Sequence, residues 1–356
     1  MPLPVCNSAP DTDVAGRLSA RPQPMAFRLE EIDAGRAICA VAIILLHTTT
    51  ITNWPPDFGI RGAGLVGQLM RFAVPFFFIT SGFLLARQKR VPAVQRMIAI
   101  LKRVVPVFLV WSSLYLLCFK SGLGQAQSAG QFAHWLGAFI FAGDFSADHL
   151  WFLPAIALCM CLMILMSRAK LEAGQMLGLS LALYLVGLCL GSYREAVLPS
   201  IHSTLLNGRN GPFALIFVVM GFLISRANWR PSLAVALIIF IAGAVGHVVE
   251  SALLDRAGVA PFASNNMLVS TLFFGLGSFL LALHLPKHAA VAVLARAGRV
   301  TLGVYVLHIL FLKLVTNVLP LDTDVEIAAC VASVSLLSFL TATALSKIPP
   351  LRALVT

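Results

Sequence analysis

Charged side chains are scarce in this chain. Only 12% of its 356 residues are Asp, Glu, Lys or Arg, against roughly 25% in a soluble globular domain. Hydrophobic residues make up 59%, and the mean hydropathy is +0.89, so the composition excludes an ordinary soluble protein. Acidic residues are fewer than basic residues, 15 against 26. The basic residues alternate with apolar runs instead of forming one patch, which argues against a nucleic-acid partner.

The seven cysteines do not form a disulfide framework. Six lie in apolar segments and Cys6 lies in the N-terminal tail, so no predicted outer loop carries a cysteine pair. Cys159 and Cys161 have the spacing of a short metal motif, but on a helix their thiols point in different directions and their flanks are apolar. No metal site is predicted. The first 26 residues also lack the apolar core of a cleavable signal peptide, and no nucleotide-binding loop or fixed-period repeat is present.

Recurring apolar runs predict an all-α integral membrane protein, a bundle of about ten transmembrane helices. The predicted spans are 32–52, 65–86, 99–119, 149–167, 175–192, 212–225, 232–252, 267–285, 301–319 and 325–346. The run 131–145 is too short to span comfortably, and counting it would move the later basic loops outside. We therefore expect it to be an interfacial or re-entrant segment on the outer side.

The distribution of Lys and Arg between the spans predicts the orientation. With the N-terminus inside, the cytoplasmic segments hold 18 basic residues and the outer loops hold five. The positive-inside rule then gives an N-in, C-in protein. The expected domains are a disordered tail over 1–28, a transmembrane domain over 29–347 and a short cytoplasmic tail over 348–356, with no soluble domain at either end.

The first span carries an arginine and a histidine on one face. Arg36 and His47 are eleven residues apart, which is about three turns and about 16 Å along a helix, and within roughly 20° of the same side. Asp33 lies one turn before Arg36. Ionisable groups in a membrane helix indicate a functional site, although a structural histidine near a helix end is an equal alternative. Histidine is the natural general base near neutral pH, and arginine suits an anionic ligand.

Further polar residues sit in or beside the next two spans. Arg71 has a simple alternative role, because it can extend outward to the interface. Pro75 permits a kink beside a cavity, and Ser81-Gly82 is a small-residue patch, for which helix packing is favoured over catalysis. The loop that follows is the most basic stretch of the chain. It suits anionic lipid or a phosphate-bearing cytosolic donor, and its basic residues are Arg87, Lys89, Arg90, Arg96, Lys102 and Arg103.

Two later spans carry more candidates. Asp148, His149 and Trp151 open the fourth span, where Trp is an expected interfacial residue and the polar pair also fits a plain surface. In the ninth span, helical spacing puts three polar residues on one face: Thr301, Tyr305 and His308. Polar side chains near mid-membrane must find partners, so a structural hydrogen-bonded pair is the alternative to a site.

The order of these motifs resembles acyltransferase family 3, the polytopic membrane O-acyltransferases of bacteria. The resemblance covers about residues 29–346. It rests on Asp33-x-x-Arg36-x10-His47, Phe76-Phe77-Phe78-Ile79-Thr80-Ser81-Gly82-Phe83-Leu84-Leu85, Lys102-Arg103-Val104-Val105-Pro106, His149-Leu150-Trp151-Phe152-Leu153, Met220-Gly221-Phe222-Leu223-Ile224 and Gly303-Val304-Tyr305-Val306-Leu307-His308. Many members carry two arginines three residues apart before the proline of the third helix. Here Arg103 is kept and the partner position is Ile100.

The resemblance implies a multi-pass enzyme of the bacterial inner membrane. It would transfer an acyl group, expected to be acetyl, from cytosolic acyl-coenzyme A to a hydroxyl of a cell-surface glycan or glycolipid. No tightly bound cofactor is expected. Partners would be membrane lipid and a polysaccharide biosynthesis or export complex. Activity is expected to fall below about pH 6, where histidine becomes protonated.

The implied residue roles follow the same motifs. The catalytic group is His47, Arg36 and Asp33. The donor-binding group is Lys102, Arg103, Arg90 and Arg96. The acceptor or oxyanion group is Arg71, Ser81, His149, Trp151, Tyr305 and His308. The segment 131–145 and the loop 193–211 are the expected acceptor contacts. A transporter or flippase of a glycan or small metabolite is the rival interpretation, since buried charges and a kinked helix suit it as well.

Overall fold

The computed structural model describes residues 29–51, 63–88, 91–119, 148–200 and 211–356, together with 128, 130–132 and 136–137. Regular structure in this part of the chain is entirely helical, as predicted. Its helices are α1 Glu30–Thr49, α2 Ala63–Leu69, α3 Ala73–Arg87, α4 Ala93–Phe119, α5 Phe152–Arg168, α6 Ala173–Leu190, α7 Arg194–Val197, α8 Gly211–Ala227, α9 Leu233–Arg256, α10 Thr271–Ala282, α11 Ala289–Gly298, α12 Thr301–Thr316, α13 Asp324–Ser346 and α14 Pro349–Val355. Single 3₁₀ turns lie at Asp148–Trp151 and Phe262–Ser264.

Seven helical segments in the described residues are long and apolar enough to cross a membrane. Two of them combine adjoining elements: Gly64–Arg87 joins α2 to α3, and His149–Arg168 joins the 3₁₀ turn to α5. Helices α11 and α12 meet at an angle of 72°, and together they form an eighth candidate span if the bent pair is counted as one. Two shorter apolar helices, Pro212–Ala227 and Thr271–Ala282, coincide with two further predicted spans. The all-helical architecture is therefore confirmed, with seven candidate membrane spans in this part of the chain, while the count of ten and the N-in, C-in orientation stay predictions. Of the 131–145 segment, most residues lie outside the described part of the chain.

The second predicted span is interrupted rather than simply kinked. Helix α2 ends at Leu69, α3 begins at Ala73, and turns occupy the three residues between them. Pro75 explains the break, because its ring clashes with the carbonyl four residues earlier, that of Arg71, and it has no N–H to donate. The break places Arg71 in the turn, where its side chain reaches a neighbouring loop.

Helices α3 and α8 approach each other closely through a reciprocal pair of glycines. A Cβ added to Gly82 would lie 1.9 Å from the carbonyl oxygen of Val218, and one added to Gly221 would lie 1.9 Å from that of Ile79. No side chain fits in either gap, so the two glycines allow backbone-to-backbone packing of the kind seen between membrane helices. The small-residue role expected for Gly82 is therefore confirmed.

Two clusters of buried apolar residues lie on either side of α1. One is built mainly from α3, α5, α6 and α8 and receives Cys39 and Ile43 from α1. The other is built from α4, α12 and α13 and receives Ala40 and Ile44. Because α1 supplies side chains to both clusters, its polar residues lie between them. The main cavity lies beside these polar residues.

Candidate active site

A cavity of about 720 Å³ runs alongside α1, within the size range of small-molecule sites. Its wall comes from α1, α3, α4, α5, α12 and the loop before α10. Polar side chains in this wall are Arg36, His47, Thr50, Arg71, Thr80, Ser81, Gln88, Gln95, Arg96, Arg103, His149, Asn266, Thr301 and Tyr305. Most sequence-predicted site residues therefore face one space, although they come from five separate spans.

The Arg36–His47 stripe faces this cavity, as its spacing predicts. Arg36 Nη1 donates a hydrogen bond to Asp33 Oδ1 over 3.0 Å, one helical turn away. Asp33 is not part of the cavity wall, so it acts on the site through Arg36. An ion pair of this kind holds the guanidinium in one position in a region that contains few other acidic groups.

Three histidines from three helical segments meet at the other end of α1. The ring centroids of His47 and His308 are 5.2 Å apart, and those of His308 and His149 are 5.1 Å apart. His149 and His308 are almost completely buried. His308 does not line the cavity itself and lies behind His47. No set of three His, Cys, Asp or Glu side chains among the described residues is arranged to hold a metal ion.

Hydrogen bonds orient two members of this cluster. His308 Nδ1 donates to the carbonyl oxygen of Tyr305 over 2.7 Å, because a carbonyl can only accept. A neutral His308 then carries its lone pair on Nε2, and this atom has no hydrogen-bond partner among the described residues. The Tyr305 hydroxyl donates to the carbonyl of His149, which ties α12 to the start of α5. Tyr305 thus holds the ring of His308 and the backbone at His149.

Tyr115 is a site residue that sequence reasoning missed. Its hydroxyl donates to the carbonyl of Val306 over 2.9 Å and accepts from the amide of Leu310 over 3.2 Å. These two groups are four residues apart and are ordinary partners within a helix, so the Tyr115 hydroxyl contacts both ends of one backbone pair of α12. Its ring also lies 5.0 Å from that of His149. The only sequence signal is a tyrosine inside an apolar span.

The basic residues of α4 occupy the end of the cavity opposite the histidines. Arg103 lies twelve residues, about 18 Å, before Tyr115 on the same helix, and it faces the cavity together with Arg96. Arg96 donates to the carbonyl of Leu85 at the end of α3. Neither arginine forms an ion pair with a carboxylate in the described part of the chain, so both remain available to an anion.

Lys102 does not join these arginines. It is exposed and is not part of the cavity wall, because successive residues of a helix point about 100° apart. Its predicted donor contact is therefore unsupported by the geometry. Arg90, also predicted for the donor, lies outside the described residues, as do Lys89, His202 and Arg209.

Arg71 anchors a loop at the histidine end of the cavity. Its guanidinium donates to the side-chain oxygen of Asn266 and, over 2.9 Å, to the carbonyl of Ala263. Asn266 and Met267 line the cavity. Arg71 is therefore directed inward, toward the loop between α9 and α10, rather than outward to the interface.

A buried network holds the same loop, and sequence reasoning missed it. Gln68 donates to the carbonyl of Phe262 over 2.7 Å and accepts from His247 Nε2 over 2.8 Å. Thr271 accepts from the amide of Leu268 over 2.8 Å and contacts His247 Nδ1 at 3.1 Å. Every polar group in this chain of contacts has a partner, which makes the loop 262–271 a rigid part of the site.

Ser81 and Trp151 line the cavity without a neighbouring group, among the described residues, that would make them reactive. Ser81 lines the cavity, but its hydroxyl donates to the carbonyl of Phe77 over 2.8 Å within the same helix. Trp151 also lines the cavity and packs near Phe78, with ring centroids 6.3 Å apart. Both residues shape the wall, and neither is placed as a nucleophile with an adjacent base.

Comparison with known proteins identifies the family of the chain. The family model described as "Acyltransferase domain" (Acyl_transf_3) matches residues 29–346. A protein named serine/alanine racemase from Enterococcus gallinarum is 24% identical over 292 residues, which is 78% of this chain and 40% of that protein. The chain thus spans less than half the length of this relative. No solved structure matches. Since the family model covers nearly the whole helical domain, this chain belongs to the acyltransferase 3 family of multi-pass membrane proteins.

Proposed function

We propose that the protein transfers an acyl group, acetyl in the first instance, from cytosolic acyl-coenzyme A to a hydroxyl of a cell-surface glycan or glycolipid. One observation carries the proposal: a single cavity joins unpaired arginines at one end to a histidine cluster at the other. A donor with phosphates and a long flexible arm fits such a cavity. Family membership supports the reaction class.

The orientation is part of the proposal. Ten spans with the N-terminus inside place Arg96 and Arg103 toward the cytoplasm and His47 toward the outer face of the bacterial inner membrane. The phosphates of coenzyme A would bind these arginines through charge-assisted hydrogen bonds. The pantetheine arm would pass Arg36 and bring the thioester to His47. Lys102 has no direct part in this arrangement.

The chemistry follows from the position of His47. As general base, it takes the proton of the acceptor hydroxyl while the oxygen attacks the thioester carbonyl carbon. The C–S bond then breaks, the acyl group stays on the acceptor oxygen, and the proton returns to the thiolate of coenzyme A. Transfer of the acyl group through His47 itself is the variant of this mechanism with a covalent intermediate. In this proposal His149 and Tyr305, which line the cavity at the same end as His47, serve the acceptor side of the site.

The test is transfer of radiolabelled acetyl from acetyl-coenzyme A to cell-surface glycan in membranes with matched amounts of wild type and His47→Ala. We expect label only with the wild type, and a rate that declines below about pH 6. Equal labelling would show that His47 is not catalytic. No label with either protein, but uptake or efflux of a glycan or metabolite, would establish the rival transporter function.

A further inference from the structure

A second pocket of about 320 Å³ adjoins the histidine end of the main cavity, at the lower limit of small-molecule sites. One side is formed by Ser192, in the link between α6 and α7, and by Arg194 and Glu195 at the start of α7. The other side is formed by the loop before α10, with Ser264, Asn265 and Asn266. None of these residues takes part in the donor site.

The two spaces share a wall. Asn266 and Met267 line both of them, and Arg71 fixes Asn266 from the side of the main cavity. A molecule that occupies the second pocket therefore lies next to the end of the main cavity that contains His47. An extended acceptor could reach across this wall from one space to the other.

The shared wall is rigid. Besides the Gln68 and His247 network, Tyr184 donates to the carbonyl of Leu268 over 2.6 Å. Glu250 accepts from the amides of Val269 and Ser270, both at 3.0 Å. Contacts from several helices thus hold a loop that has no regular structure of its own after residue 264, and such preorganisation is typical of a binding surface.

The chemistry of the pocket suits a neutral, hydroxyl-rich ligand. Arg194 and Glu195 form an ion pair, with nitrogen–oxygen distances of 2.8 and 3.0 Å. The two charges of this ion pair cancel, and its side chains still offer hydrogen-bond donors and acceptors to a ligand. Two serine hydroxyls lie nearby, and Asn265 Oδ1 has no hydrogen-bond partner among the described residues. An anionic ligand would meet the carboxylate of Glu195, so we expect uncharged sugars to be preferred.

We propose that this pocket binds a neutral sugar unit of the acceptor, next to the unit that receives the acyl group. The proposal rests on the proposed function for the identity of the acceptor. It makes the pocket a specificity site, separate from the groups that carry out the transfer, and it predicts that sugar binding does not require the donor.

The experiment is saturation-transfer NMR with the full chain in lipid nanodiscs and five neutral probes: the methyl glycosides of glucose, galactose, mannose, rhamnose and N-acetylglucosamine. Ser192→Trp fills the pocket. Ala196→Trp is the matched control, because Ala196 is an exposed residue of α7 that does not line the pocket. Glu195→Gln is a milder variant that removes the negative partner of the ion pair and leaves the charge of Arg194 uncompensated.

We expect the wild type and Ala196→Trp to bind at least one glycoside, and Ser192→Trp to bind it at least tenfold more weakly. Glu195→Gln is expected to weaken binding several-fold. Absence of binding to the wild type, or unchanged binding to both pocket variants, would overturn the proposal. Release of coenzyme A from acetyl-coenzyme A is measured on the same samples. Its absence from a wild type that binds a glycoside would reject the proposed function and leave the pocket assignment in place.

Discussion

His308 stands directly behind His47, with ring centroids 5.2 Å apart, and its own proton is committed to the carbonyl of Tyr305. The pair joins the first span to one that lies about 260 residues later in the chain. A neutral imidazole in this tautomer can accept a hydrogen bond at Nε2 from a neighbouring donor. His308 Nε2 has no hydrogen-bond partner among the described residues, so we expect it to accept a hydrogen bond from His47 when His47 gains a proton.

Replacement of His308 tests this relationship. His308→Phe keeps a ring of similar shape and removes the lone pair. We expect kcat for acetyl transfer to fall by about 10- to 100-fold, within the range of acid–base contributions, with little change in KM for acetyl-coenzyme A. The measurement is steady-state transfer in nanodiscs at two pH values, since loss of a group that stabilises protonated His47 should also shift the pH profile. A rate equal to that of the wild type at both values would contradict the role.

Tyr115→Phe tests the contact of the Tyr115 hydroxyl with α12. The change removes one oxygen that contacts both the Val306 carbonyl and the Leu310 amide. Unsatisfied buried groups cost about 1–3 kcal/mol each, but these two are ordinary helical partners and can bond to each other. We expect a small change in thermal stability and a several-fold loss of kcat, because the hydroxyl anchors the turn of α12 that contains His308. A loss of stability with unchanged kcat would make Tyr115 purely structural.

Arg103 and Lys102 are adjacent cations with opposite exposure to the cavity. Arg103→Gln is expected to raise KM for acetyl-coenzyme A by about tenfold, because a charge-assisted bond to phosphate contributes about 1.5–3 kcal/mol. Lys102→Gln removes the same charge from the neighbouring position and is expected to leave KM within twofold. Equal effects of the two variants would show that the donor is attracted by net charge alone rather than held at this wall.

Gly82 and Gly221 provide a test of the packing between α3 and α8. Gly82→Ala places a Cβ against the Val218 carbonyl, and overpacking typically costs about 1–3 kcal/mol. We expect a lower midpoint of thermal unfolding in detergent and a lower yield of folded protein. The control is Gly174→Ala, since an added Cβ at Gly174 meets nothing within 4 Å. Equal midpoints for the two variants would show that the helices separate at little cost.

Much of the site could be predicted from local sequence. The distance between Arg36 and His47 follows from helix geometry alone, and so does the pairing of Asp33 with Arg36. Tyr305 and His308 share a face for the same reason. These relations lie within one helix, where the repeat of the backbone places side chains regardless of what surrounds them.

Contacts between helices could not be predicted in this way. Nothing in the sequence of α4 indicates that the Tyr115 hydroxyl bonds to the backbone of α12, or that Lys102 faces away while Arg103 faces the cavity. Arg71 fits an interfacial arginine equally well until the loop that contains Asn266 is placed beside it. Each of these outcomes depends on how a helix is rotated about its own axis. The sequence does not give this rotation, because the side of a membrane helix that faces lipid is as apolar as the side that is buried in protein.

By itself the sequence determined the helical class, the apolar segments, the family motifs and the spacing of polar residues along each helix, because hydrophobic length and the 3.6-residue repeat are local properties. Tertiary structure alone decided which polar residues share the cavity, how the three histidines meet, and that a second pocket lies behind Asn266. Those features arise from the packing of segments far apart in the chain, where close contacts such as Gly82 against Val218 set the distance between helices.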